Sequence, residues 1–90
     1  MKPTDSDEYR ARLRRAVSAL AAVRRFAARY GLAVGVFKCG DEWRVTSHGV
    51  AVVATWRVST MEFEHAGGTV VVKNVEQFKR AVAESLNPLG

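Results

Sequence analysis

Cys39, His48 and His65 are the side chains of this 90-residue chain best suited to nucleophilic chemistry. Such a pair needs a thiolate within hydrogen-bond reach of an imidazole. Cys39, however, closes an alternating stretch, where it reads as a small apolar residue, and His48 stands beside Gly49 in a turn. The acids Asp41, Glu42, Glu62 and Glu64 fall in loops or alternate along an exposed strand face, without metal-ligand spacing. Gly67-Gly68 reads as a turn, because a strand follows it and not the helix start that cradles a phosphate. Trp43 and Trp56 could stack on bases. Their parity sets them with the valines, which favours the core. The sequence therefore predicts no catalytic residue, no metal and no cofactor, and a protein that is not an enzyme.

The residues that stand out instead are arginines. At roughly 100° per residue, Arg10, Arg14, Arg25 and Arg29 cluster within about 100° of arc on one predicted helix, with Arg15 at the edge. Ala11, Ser18, Ala21, Ala22 and Ala28 fill the gaps. Exposed helix faces usually pair acids with bases at four-residue spacing. Here no acid occurs between Arg10 and Gly40. Guanidinium groups suit bidentate pairing with carboxylates and phosphates. Arg14 and Arg25 would stand about 16 Å apart along a continuous helix axis. Tyr9 and Tyr30 lie near its two ends, bordering a binding surface or pinning the helix to a sheet.

The helix that carries these residues is predicted over Ser6 to Gly31. Asp5 with Glu8 forms a capping-box pattern, and acids suit the positive end of the helix dipole. Leu13, Val17, Leu20, Val23 and Ala27 recur at three- and four-residue steps and form its apolar stripe. Gly31 stops it. Ala33 to Cys39 then alternates, followed by a tight Gly40-Asp41 turn. Trp43 to Ser47 alternates again before a His48-Gly49 turn. That two-residue loop sets Val45 against Val52 and Trp43 against Ala54. Trp43, Val45, Val50, Val52, Ala54, Trp56 and Val58 then share the core face, with Arg44, Thr46, Ala51, Val53, Thr55 and Arg57 opposite. After Val58 the apolar parity switches, so Ser59-Thr60 is a turn or a bulge. A turn would pair Trp56 with Phe63 and Arg57 with Glu62, leaving Met61 and Phe63 for the core. Thr69 to Lys73 is a last strand. Asn74 caps a final helix with Gln77 completing a capping box, and Val75, Phe78, Val82 and Leu86 form its stripe. Asn87-Pro88 ends it.

The net charge is +5, and the first thirty residues carry all of it, with eight basic residues against three acids. The remainder is balanced, so the basic character belongs to one helix. A compositional explanation competes. Ala, Val, Arg and Gly, all with G/C-rich codons, make up 44 of the 90 residues, which by itself raises arginine over lysine. The single cysteine rules out an internal disulfide. No apolar run is long enough to span a bilayer. With no signal-peptide pattern, the expected location is cytoplasmic.

The order helix, antiparallel strands, helix resembles that of double-stranded-RNA-binding domains. Those domains grip phosphates with lysines at the start of their second helix. The matching stretch here is Asn74-Val75-Glu76-Gln77, with no cation before Lys79, so the likeness covers element order only. The motif-free, composition-biased chain is also similar in style to small accessory proteins of phages and mobile elements, some of which inhibit host complexes.

The expected fold is α+β: a two-layer sandwich with a long N-terminal helix, an antiparallel meander of four to five strands and a C-terminal helix. One domain spans 1–90, with 1–5 and 87–90 flexible. The expected function is non-enzymatic docking of Arg10, Arg14, Arg15, Arg25 and Arg29 on an acidic protein surface or a nucleoprotein complex. The alternative is sequence-independent binding of DNA or RNA phosphates. A membrane role is not expected, because the stripe is alanine-rich and needed by the sheet. A homodimer would follow if that stripe exceeds what the short sheet covers.

Overall fold

A computed structural model describes residues 7–47 and 51–86. Two helices, α1 (Asp7–Ser18) and α2 (Leu20–Ala28), precede five strands, β1 (Leu32–Phe37), β2 (Glu42–Ser47), β3 (Ala51–Arg57), β4 (Glu62–His65) and β5 (Gly68–Val71). Helix α3 (Val75–Leu86) follows. The strands form one antiparallel meander in the order β1-β2-β3-β4-β5, and all three helices contribute to the core on one side of it. This is the expected α+β architecture.

The expected single N-terminal helix is bent at Ala19. The Ser18 hydroxyl donates to the Arg15 carbonyl at 2.9 Å, the acceptor that a continuous helix reserves for the Ala19 N–H. Ala19 N–H turns instead to Ala16 O at 3.1 Å, and its backbone sits at φ −95°, ψ 2°. Val23 N–H then bonds Ala19 O and α2 begins. The second segment ends as expected. The N–H groups of Arg29, Tyr30 and Gly31 bond three residues back, and Gly31 turns the chain at φ +73°. Ser6 and the Asp5 cap lie outside the described residues.

The apolar stripe is covered. Tyr9, Ala16, Val23 and Ala27 are buried, and Leu13 and Leu20 pack against them. Val17, expected within the stripe, is 43% exposed. An uncovered stripe was the ground for expecting a homodimer, and within the described residues only this fringe of it remains.

Trp43, Trp56, Phe63 and Phe78 form the centre of the core, with ring centroids 5.0 to 5.8 Å apart. Both indole N–H groups are satisfied, Trp43 by Gly40 O at 2.8 Å and Trp56 by Val72 O at 2.9 Å. That meets the requirement for burying tryptophan. The core reading of both residues holds.

The central hairpin differs from its expected register. Trp43 pairs with Trp56 and Val45 with Ala54, a shift of two residues. One residue comes from the connection, since Ser47 pairs with Ala51. The other comes from a bulge between Val45 and Thr46. Each slip alone would swap the faces, and together they restore them for Trp43, Val45, Ala54 and Trp56. Only the bulge region is exchanged: Val52, opposite Thr46, is 54% exposed, and Val53 packs against the core. The His48-Gly49 turn and Val50 lie outside the described residues.

The β1–β2 connection is also longer than expected. Phe37 pairs with Glu42, so Lys38 to Asp41 form the turn, with Lys38 and Cys39 both at positive φ. Gly40 is buried at φ +96°, and a Cβ there would meet Val17 Cγ2 at 3.0 Å and Leu13 Cδ1 at 3.2 Å. Glycine thus lets α1 approach this turn. Between β3 and β4 the chain makes a turn, not a bulge. Trp56 pairs with Phe63 and Arg57 with Glu62, the pairs expected of the turn alternative. Met61 closes that turn at φ +62° and is half-buried.

Helix α3 starts as its sequence predicts. Asn74 Oδ1 accepts from Gln77 N–H at 2.9 Å. Gln77 Oε1 reaches back to Lys73 N–H at 2.8 Å, one residue before the cap. Phe78 and Val82 face the core, with Val75 and Leu86 at its margin. The Asn87-Pro88 stop and the flanks 1–5 and 87–90 lie outside the described residues. Among the described residues, no helix is long and apolar enough to cross a membrane.

Candidate functional site

The seven arginines of the N-terminal helices divide by what they touch. Arg12 and Arg24 are tied to the sheet. Arg12 Nη2 donates to Val58 O at 3.4 Å, and Nη1 lies 3.6 Å from Glu8. Arg24 Nε donates to Val34 O at 3.0 Å, occupying one carbonyl of the edge strand β1. Arg10, Arg14, Arg15, Arg25 and Arg29 are all exposed. None of these five makes an ion pair or side-chain hydrogen bond with another described residue.

The bend at Ala19 separates them into Arg10, Arg14 and Arg15 on α1, and Arg25 on α2 with Arg29 at its C-cap. The division itself was legible. At 100° per residue Arg12 and Arg24 fall beside or within the apolar arc, not opposite it. Long arginine stems can lie along apolar surface there while the guanidinium finds a carbonyl.

Three cations outside the N-terminal helices, Lys38, Arg44 and Arg57, gather on one carboxylate. Glu42, expected in a loop or on an exposed face, is only 4% exposed although its strand position is on the open side of the sheet. Arg44 Nε reaches its Oε2 at 2.7 Å and Nη2 at 2.6 Å. Lys38 and Arg57 approach Oε1 at 3.7 and 3.8 Å. Arg44 also stacks over Phe37 at 4.3 Å, and Arg57 bridges on to Glu64 at 3.0 Å. The Arg44 hydrogen bond, opposed by desolvation and aided by the charges of Arg44, Lys38 and Arg57, holds the Glu42 carboxyl below its ordinary range.

Asp41 is the second carboxylate whose role the sequence concealed. Its Oδ1 accepts from the Tyr9 hydroxyl at 3.0 Å and Ser59 N–H at 2.8 Å, and its Oδ2 from the Ser59 hydroxyl at 3.1 Å. It fastens α1 to the β3–β4 turn. Tyr9 is thus a pin between helix and sheet, not a border of a binding surface. Burial, with the hydrogen bond to Asp41 and its charge, pushes the Tyr9 phenol up to about 12.

The candidate nucleophile behaves differently from its sequence reading. Cys39 is exposed at φ +56° in the turn, not packed at a strand end. His65 Nδ1 accepts from Gly67 N–H at 3.1 Å, and His48 lies outside the described residues. Among the described residues, no three His, Cys, Asp or Glu side chains gather in a way that could hold a metal ion. No family model, curated protein or solved structure matches the chain.

Proposed function

We propose that this chain is a non-enzymatic binding protein that docks Arg10, Arg14, Arg15, Arg25 and Arg29 on an acidic partner, a protein surface or a nucleoprotein complex. What carries the reading is the contrast among its arginines. Arg12, Arg24, Arg44 and Arg57 each satisfy an acceptor of the fold, whereas these five, like Arg80 on α3, make no ion pair or side-chain hydrogen bond with another described residue. Ser18, Ala21 and Ala22 between the two groups are small and exposed, so a partner can approach the bend closely. Planar guanidinium groups at such a surface favour bidentate carboxylate or phosphate recognition. An inhibitory accessory role of the kind found in phages and mobile elements fits this mode of action.

The test is charge reversal. Arg14→Glu with Arg25→Glu should abolish binding to the partner purified from the native host, as read by calorimetry, with melting unchanged or slightly higher. Wild-type affinity in the double variant would end the reading. Anisotropy with duplex DNA and RNA separates the phosphate alternative. Direct phosphate binding would be indifferent to sequence and fall steeply with salt, with a log–log slope smaller by about two units in the double variant.

A further inference from the structure

A cavity of about 470 Å³ lies between α1, the end of β3 and the start of α3. We infer that it binds a small organic monoanion, a carboxylate or sulfonate carried on an apolar ring. Trp56 and Val58, each 1% exposed, lie beneath the cavity, and half-buried Val75 borders it. The Trp56 N–H is already committed to Val72 O and offers a ligand no donor. A pocket of this volume, mostly apolar with a few charged groups, has the make-up of a small-molecule site.

The charged groups set the class of ligand. Among the described residues, Arg12, Arg15 and Lys73 line the cavity against two carboxylates, Glu8 and Glu76, a net charge of +1. Both carboxylates are engaged, Glu8 with Arg12 at 3.6 Å and Glu76 with Lys79 at 3.2 Å. The side chains of Arg15 and Lys73 make no ion pair or hydrogen bond with another described residue. Arg12 Nε is buried without a hydrogen-bond partner. The first turn of α3 is already capped by Asn74, so recognition falls to these side chains. One net positive charge among the described lining residues suits a monoanion better than a dianionic phosphate.

The probe is anilinonaphthalene sulfonate, an apolar monoanion whose fluorescence rises when it leaves water. Its uncharged parent, phenylnaphthylamine, is the control. Native protein should bind the sulfonate one to one and more tightly than the neutral dye. Arg15→Ala with Lys73→Ala should weaken the sulfonate about tenfold or more, since each charge-assisted contact is worth at least that. The same variant should leave the neutral dye and the melting temperature unchanged, because both side chains are exposed. Lys73→Ala alone separates this site from the docking face, since it should weaken the dye and leave partner binding intact. Absence of saturable one-to-one binding, equal affinity for the neutral dye, or an undiminished sulfonate affinity in the double variant would overturn the inference.

Discussion

Removing the Asp41 carboxylate tests how the N-terminal helix is fastened to the sheet. Asp41→Ala deletes the acceptor of three hydrogen bonds, from the Tyr9 hydroxyl, Ser59 N–H and the Ser59 hydroxyl. Bonds to a charged acceptor contribute about 1.5–3 kcal/mol each, and water replaces part of that at a half-buried site. The expected loss is about 3–4 kcal/mol, or about 12–25 °C in melting temperature for a domain of this size. The Tyr9 share is isolated by a double-mutant cycle with Tyr9→Phe, followed by urea unfolding at pH 7. The expected coupling is about 1.5 kcal/mol. Alkaline pH provides a second readout. The folded state raises the Tyr9 pKa to about 12, so it keeps a proton that the unfolded chain releases near 10. This contribution is complete below about pH 10 and is lost as pH rises towards 12, at up to about 1.4 kcal/mol per pH unit. Tyr9→Phe should lack that component of the slope. A coupling below about 0.3 kcal/mol would refute the assignment of Asp41 as the fastening residue, and equal alkaline slopes would refute the burial of the Tyr9 phenol.

Trp56→Ala should cost about 3–5 kcal/mol, because it opens a cavity among Trp43, Phe63 and Phe78 and orphans the Val72 carbonyl. Native tryptophan emission should be blue-shifted and resistant to iodide, and strong quenching of both indoles would contradict the core. Glu42→Gln should lower the melting temperature at neutral pH. Its folded pKa is depressed, so the charge stabilises above the ordinary carboxylate range and is lost as pH falls through the folded value. The gap between wild type and variant should therefore close in acid, and a pH-independent gap would show that the carboxylate charge is not what counts.

What the sequence by itself determined is periodic. Three- and four-residue steps located the helices, two-residue alternation located the strands, and Asn74 with Gln77 marked the start of α3. The parity switch after Val58 correctly demanded Trp56 opposite Phe63 if a turn intervened, because a one-residue slip would have moved Phe63 out of the core. The five exposed arginines were legible for the same reason, since they lie opposite the apolar arc.

Tertiary structure decided the rest. Arg12 and Arg24 differ from the other arginines through carbonyls 46 and 10 residues away, Val58 and Val34. Asp41 acquires its role only when Tyr9 and Ser59, 32 and 18 residues distant, come to it. Glu42 is buried because Arg44, Lys38 and Arg57 converge over it across two strands and a turn. The two-residue register shift between β2 and β3 was invisible to alternation, because slips from the connection and the bulge cancel in parity. Even the bend at Ala19, set locally by the Ser18 hydroxyl, persists because the segments on either side bury Ala16 and Val23 in one core. Local pattern fixes which face a residue takes, whereas its partner depends on which distant segment the fold brings against that face.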